Sequence, residues 1–167
     1  MIRSMLMGAI AGARSMTPLA AVSLAAKQGL LPRNNGAQAF LSHPVVVAGS
    51  LALAAGELAG DKMESAPDRI VVAGLAARLM TGAIAGAALA PREERLVGGL
   101  LGAAAAVAAS YVTFELRMQA LRRYGQTASG VVEDALVVGS ALLIVAVAND
   151  QEHPGITEDE NGALRWG

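Results

Sequence analysis

The sequence predicts an all-α protein, a polytopic transmembrane bundle of about five helical spans. Of its 167 residues, 54% are hydrophobic and 16% are charged, against roughly 45–50% and about 25% in soluble domains. The charged residues are clustered, which leaves long apolar segments between them. Residues 96–114 carry no charge and no polar stripe at the helical period, so a helix there has no face suited to water. These observations favour a membrane bundle over a soluble one.

Each predicted span has a length suited to a bilayer. A helix that crosses a hydrocarbon core of ~30 Å needs about 20 residues, with a range of roughly 17–25. The segments that fit this range are 4–26, 44–60, 70–91, 96–114 and 131–149. The fourth lacks ionisable side chains, whereas the others contain Arg14, Glu57, Arg78, and the pair Glu133 and Asp134. Residues 1–149 are therefore the predicted transmembrane domain, and residues 150–167 are a polar, acidic C-terminal tail.

The first span contains a helix-start signal in its middle. Arg14 is followed by Thr17 and Pro18, which suit the N-cap and the first position of a new helix. The span is therefore predicted to be broken near Thr17 and Pro18. The unbonded N–H groups of the second half, together with Arg14, would attract an anion. The alternative is a proline kink in which Arg14 pairs with Glu57 or Asp61 for structural reasons only.

The acidic residues of the second and fifth spans also allow two interpretations. Glu57 and Asp61 are four residues apart and share a helix face, next to Lys62. This cluster could bind a cation, relay protons or cap the membrane interface. Glu133 and Asp134 fall in the first turn of the fifth predicted span. The helix dipole favours acids at that position, which would explain the pair without any function.

Small residues are spaced for close contacts between helices. Gly-x-x-x-Gly occurs four times, at Gly8/Gly12, Gly56/Gly60, Gly82/Gly86 and Gly98/Gly102. In lipid, small residues four apart let helix backbones approach each other, within one chain or between two copies. A homodimer through such faces is therefore an expected assembly, in addition to contacts with membrane lipids.

A hexapeptide in the first span is repeated in the third. Gly-Ala-Ile-Ala-Gly-Ala occurs at 8–13 and again at 82–87, with Arg14 after the first copy and Arg78 before the second. Transporter folds often contain internal repeats with their sites at the repeat interface. The alternative is chance, because Gly-Ala strings are common in this composition and five spans do not divide into two halves. Arg78 could instead extend its guanidinium to the interface.

The Lys and Arg residues of the connections predict the N-terminus inside and the C-terminus outside. Cytoplasmic loops of membrane proteins carry an excess of these residues. On the N-terminal side the predicted topology places six, namely Arg3, Lys62, Arg69, Arg117, Arg122 and Arg123. On the other side it places four, namely Lys27, Arg33, Arg92 and Arg95.

Several classes of function are disfavoured by composition and by missing motifs. A net charge of −1 gives no basic field to hold nucleic acid. The absence of Cys excludes disulfides, thiolate metal sites and a Cys nucleophile. The sequence has no Gly-x-Ser-x-Gly elbow, P-loop, His-Glu-x-x-His or dinucleotide fingerprint. An enzyme is therefore the less expected class, and no cofactor or metal is predicted.

The polar motifs resemble a bacterial membrane family, domain of unknown function 4126. The resemblance covers roughly residues 5–148 and is most specific in Gly-Glu-x-x-x-Asp-Lys. Its motifs are residues 12–18, residues 56–62 with Pro67 and Arg69, Ala77 and Arg78 with residues 82–87, and residues 133–135. The resemblance implies a small multi-pass protein of the bacterial cytoplasmic membrane. It implies no activity.

Three hypotheses for function follow. The first is transport or channel-like movement of a small solute or ion through a site around Arg14, Glu57 and Asp61. The second is a membrane-embedded enzyme or carrier for a lipid or polyprenyl phosphate, the one case in which Mg²⁺ would be expected. The third is a structural or accessory membrane protein with no substrate. The candidate substrate-binding or coupling residues are Arg14, Ser15, Thr17, Glu57, Asp61, Lys62, Arg78, Glu133 and Asp134.

Overall fold

The computed structural model describes residues 1–60, 72–124, 126–150, 157–158 and 164–165. Within these ranges the chain forms α1 (Ile2–Ala13), α2 (Met16–Gln28), α3 (Pro44–Gly60), α4 (Val72–Leu89), α5 (Arg95–Tyr124) and α6 (Gln126–Asp150). Short 3₁₀ turns at Ala39–Ser42 and Arg92–Glu94 precede α3 and α5. In the tail, β1 (Thr157–Glu158) pairs antiparallel with β2 (Leu164–Arg165). The predicted all-α bundle is confirmed.

Three of the described helices, α4, α5 and α6, are long and apolar enough to cross a membrane. The helix α3 has 17 residues, which lies at the lower end of the spanning range of roughly 17–25. Large apolar side chains cover the outside of the bundle: Leu96 is 76% exposed and Leu100 is 73% exposed. Such an apolar exterior is typical of a surface that faces lipid. The structure therefore indicates a membrane protein.

The first predicted span is divided into α1 and α2, which run in opposite directions. Leu6 of α1 lies beside Leu143 and Val147 near the end of α6, whereas Ala13 lies beside Val137 in the first half of α6. Thus α1 is antiparallel to α6. The second half of α2 lies beside the second half of α6, so α2 is parallel to α6. The two short helices form a hairpin instead of a single broken span.

The helix break occurs slightly before its predicted position. Ser15 is the N-cap of α2 and Met16 is its first residue, so Thr17 lies inside the helix rather than at the cap. Pro18 occupies the third helical position. A proline is tolerated there because the first four N–H groups of a helix have no partner within the helix.

One end of the bundle gathers the start of α1, the loop after α2 and the ends of α4 and α6. Arg3, Asn34, Pro91 and Val147 line one cavity at this end, which we call the Pro91 face. The start of α1 and the end of α6 therefore lie on the same side, and the prediction of opposite sides is wrong. The hairpin adds a reversal that the five-span count omitted. The predicted topology places Arg3 and Arg92 on opposite sides. In the structure, Arg3 lies at the same end of the bundle as Pro91, which directly precedes Arg92. The predicted division of the Lys and Arg residues between two sides therefore does not hold.

The Pro91 face is held together by bonds between two connections. The backbone N–H of Gly36 donates to the carbonyl of Ala90 at 2.7 Å, and that of Arg92 donates to the carbonyl of Asn34 at 3.1 Å. The Asn34 side chain donates to Glu93 at 3.1 Å. The pKa of Glu93 is lowered, first by a hydrogen bond from its own backbone and then by Asn34. These contacts connect the loop after α2 to the turn between α4 and α5.

The helix α5 lies between α1 and α4, and the three backbones meet at Gly102. A Cβ at Gly8 would overlap the carbonyl of Gly102, and one at Gly82 would lie 2.8 Å from the same carbonyl oxygen. A Cβ at Gly86 would lie 3.0 Å from the Gly102 Cα. Only glycine allows this approach. In contrast, the described structure leaves open space beside Gly56 and Gly60.

The two copies of the repeated hexapeptide pack on the same stretch of α5 in opposite directions. Gly8 lies at Gly102 and Gly12 lies at Ala106 and Ser110, so α1 is parallel to α5. Gly82 lies at Ala106 and Gly102, while Gly86 lies at Gly102 and Gly98, so α4 is antiparallel to α5. The copies are therefore antiparallel to each other in space.

Candidate functional site

The tip of the α1–α2 hairpin is formed by Arg14 and Ser15. Arg14 has an extended backbone (φ −140°, ψ 111°), and its N–H donates to the carbonyl of Ile10 at 2.9 Å, which closes the last turn of α1. The 12 residues of α1 give a length of about 18 Å at ~1.5 Å per residue. A hydrocarbon core is ~30 Å thick, so α1 alone is too short to cross it. Arg14 is fully buried at the tip.

The Arg14 guanidinium is held by groups from two other helices. Its Nη2 donates to Oδ1 of Asp134 on α6. Its Nη1 donates to the backbone carbonyl of Glu57 on α3 at 3.2 Å. The Asp134 side chain is 14% exposed, so this ion pair is largely shielded from solvent. One cation at the hairpin tip therefore connects α1, α3 and α6.

The Glu57 carboxylate caps the N-terminus of α2. Its Oε1 accepts from the Ser15 backbone N–H at 2.9 Å and from the Ser15 hydroxyl at 3.0 Å, and its Oε2 accepts from the Met16 N–H at 2.9 Å. An anion at a helix N-terminus is stabilised by the helix dipole and by these donors. The sequence predicts that the N-terminus of α2 attracts an anion. In the structure, that anion is the Glu57 carboxylate of the protein itself. Among the described residues, the acid that pairs with Arg14 is Asp134.

A second ion pair lies next to the first in sequence. Arg117 of α5 donates from Nη1 to Oε2 of Glu133 on α6 at 3.0 Å, and the two side chains are 13% and 20% exposed. The helix α6 begins at Gln126, so Glu133 and Asp134 lie in its third turn. The expectation that they occupy the first turn is wrong, and the helix dipole does not explain them. The predicted topology counts Arg117 among the residues of a connection, whereas the structure places it inside α5.

The other predicted site residues have different positions. Arg78 lies on α4 and is 6% exposed. It precedes Gly82 by one turn, and Gly82 packs against Ala106 of the antiparallel α5. Arg78 is therefore at about the same height along the bundle as Ser110 of α5. Arg14 is also close to this level, because Gly12 contacts Ser110. Thr17 is buried, and its hydroxyl has no hydrogen-bond partner within the described part of the chain. Asp61 and Lys62 lie outside the described residues.

A comparison of the sequence with models of protein families identifies the family of this chain. The family model for a domain of unknown function (DUF4126) matches residues 2–149, from the first residue of α1 almost to the end of α6. The chain belongs to this family. The predicted resemblance is thereby confirmed, and the matched range contains both ion pairs and the hairpin tip. No curated protein and no solved structure matches the chain.

In this DUF4126 protein, a cavity of about 570 Å³ between α5 and α6 reaches the hairpin tip. Its walls are mainly apolar, with Ala13 at the tip end and Leu116 and Leu136 on the two long helices. Arg117 and Glu133 also line it, so their ion pair is the charged part of the wall. The cavity therefore extends from the α5–α6 side of the bundle to the residue that precedes Arg14.

Within residues 1–60, 72–124 and 126–150, no group of three His, Asp or Glu side chains is arranged to hold a metal ion. The carboxylates of Glu57, Asp134 and Glu133 instead accept hydrogen bonds from the α2 N-terminus, Arg14 and Arg117.

Proposed function

We propose that this DUF4126 protein moves a small solute or ion across the membrane through a site at the α1–α2 hairpin tip. The observation that supports this proposal is the position of Arg14. It is fully buried at a chain reversal, and the helix before it is too short to cross a bilayer. The Asp134 carboxylate of α6 and the Glu57 backbone carbonyl of α3 accept hydrogen bonds from its guanidinium.

The energetic cost of this arrangement favours a functional role. A charged residue at membrane depth costs about 2.5–3.5 kcal/mol on insertion scales, and such residues commonly mark solute or ion pathways. Non-helical backbone at this depth is tolerated where it is buried in protein or lines a water-filled cavity. The break between α1 and α2 satisfies this condition, because Ser15 and Met16 donate to Glu57. A bundle that needed only packing would be formed more cheaply by apolar residues.

The contacts at the tip can be exchanged for contacts with a solute. If the Glu57 carboxylate leaves α2, the Ser15 and Met16 N–H groups become donors for an anion. If Asp134 leaves Arg14, its carboxylate becomes available to a cation. The cavity between α5 and α6 provides an approach to this position from one side. Opening and closing of these contacts would alternately expose the tip.

Flux measurements in liposomes test the proposal. Purified protein would be reconstituted, and fluxes of protons, potassium, chloride and acetate would be followed with internal fluorescent indicators. We expect the wild type to conduct at least one of these probes, and Glu57→Gln and Asp134→Asn to reduce that flux at least about tenfold. The matched control is Arg92→Gln, which removes an exposed charge at the Pro91 face. Equal flux in all four proteins would contradict the proposal.

A structural or accessory role is the second candidate, and the pairing of charges near the hairpin tip among the described residues favours it. Arg14 is paired with Asp134 and Arg117 with Glu133, while Glu57 caps α2. In this role the pairs only connect α2, α3, α5 and α6. The same substitutions would lower the thermal stability of the protein in either role, but in this role empty and protein-containing liposomes would show equal fluxes for every probe.

A further inference from the structure

A separate cavity of about 650 Å³ opens at the Pro91 face, far from the hairpin tip. One wall is formed by Ile2 and Leu6 of α1, and the other by Leu143, Ile144 and Val147 of α6. Ile2 is 71% exposed and Leu143 is 63% exposed, so both walls continue onto the lipid-facing surface. The volume lies within the range of roughly 300–1,000 Å³ that is usual for small-molecule sites.

Arg3 is the residue with a charged side chain in the lining of this cavity. Its side chain is partly buried, and within the described residues it makes no hydrogen bond and no ion pair. No acidic residue contributes to the lining. The other polar side chain in the lining is that of Asn34. Its amide donates a hydrogen bond to the Glu93 carboxylate. The rim of an otherwise apolar cavity thus holds a cation that the described protein does not neutralise.

We propose that this cavity binds an anionic phospholipid, with its phosphate on Arg3 and an acyl chain between α1 and α6. The cavity lies at helix ends, where headgroups meet the hydrocarbon region, and basic pockets between membrane helices bind anionic headgroups. A guanidinium forms strong charge-assisted hydrogen bonds to phosphate. The lining offers no carboxylate to the ammonium of a zwitterionic lipid, which favours an anionic headgroup. This site does not depend on the proposed transport function.

Lipid binding by the full chain tests the inference. Native mass spectrometry of the detergent-solubilised protein would measure the binding of phosphatidylglycerol and of phosphatidylcholine with identical acyl chains. We expect phosphatidylglycerol to bind at least about tenfold more tightly, and Arg3→Gln to remove this preference. Lys27→Gln, which removes an exposed charge near the same face but outside the cavity, should retain it. Leu143→Trp, which narrows the cavity between α1 and α6, should weaken binding of both lipids.

Two results would overturn the inference. If the wild type binds the two lipids equally, the cavity does not select an anionic headgroup. If Arg3→Gln and Lys27→Gln reduce phosphatidylglycerol binding to the same extent, the preference arises from the overall charge of the face. Arg3 would then simply extend its guanidinium into water.

Discussion

Arg14 and Asp134 form an ion pair although they are separated by 120 positions in the sequence. The pair joins the tip of the α1–α2 hairpin to the third turn of α6, and its arginine is fully buried. Removing one partner of a buried pair leaves the other charge uncompensated, which costs more than the pair itself contributes. The stability of the hairpin tip therefore depends on both residues together.

Asp134→Asn should destabilise the protein because it removes a charge partner of the buried Arg14. We expect a loss of about 3–5 kcal/mol in the free energy of unfolding, as for other broken buried pairs. Thermal unfolding in detergent would measure the effect. Glu94→Gln, at an exposed position near the Pro91 face, should leave the midpoint unchanged. An equal midpoint for Asp134→Asn and the wild type would contradict a contribution of this ion pair to stability.

Glu57→Gln and Glu57→Ala should weaken the start of α2 to different extents. The Gln side chain keeps one acceptor oxygen for Ser15 but places an amide donor near the Met16 N–H. The Ala side chain removes both acceptors, and loss of a helix cap costs roughly 0.5–2 kcal/mol. Amide hydrogen exchange at Ser15 and Met16 should therefore be slowest in the wild type, faster in Glu57→Gln and fastest in Glu57→Ala. An unchanged exchange rate in Glu57→Ala would contradict the capping role.

The helices α3 to α6 could be located from the sequence, but the hairpin could not. Apolar composition and segment length locate α3 to α6, because burial in lipid imposes these properties on each helix separately. The local signal around Pro18 also predicts a break. The direction of the chain after the break, however, depends on the contacts of Ser15 with Glu57 and of Arg14 with Asp134. These partners lie on distant helices, and no periodicity within a single segment specifies them.

Gly102→Ala should destabilise the contact among α1, α4 and α5. A Cβ at this position would overlap the Gly82 carbonyl and lie 3.0 Å from the Gly86 Cα, and backbone atoms cannot move aside cheaply. We expect a loss of about 1–3 kcal/mol in thermal or denaturant unfolding. Gly139→Ala is the matched control, since nothing lies within 4 Å of that position in the described structure. It should be neutral, or more stable by up to about 1 kcal/mol through helix propensity.

Gly56→Ala tests whether the Gly56/Gly60 pair packs against a helix of the same chain or against a second copy of the chain. The described chain leaves space for a Cβ at Gly56, so the substitution should not reduce the stability of the monomer. If Gly56 and Gly60 form the face of a homodimer, the added methyl group should shift the protein to a smaller species. Size-exclusion chromatography with light scattering in detergent would measure this shift. An unchanged mass would place the dimer contact, if the protein is dimeric, on another face.

Leu136→Trp tests whether the cavity between α5 and α6 is the route to Arg14. The larger side chain should narrow the cavity of about 570 Å³ without removing a member of either ion pair, so flux in liposomes should fall while thermal stability is retained. Leu100→Trp places the same indole on an exposed position of α5 that lines none of the described cavities, and its flux should match the wild type. Equal flux in both Trp variants would show that solutes reach the hairpin tip by another path. A fall in both would point to a general effect of Trp on the lipid-facing surface.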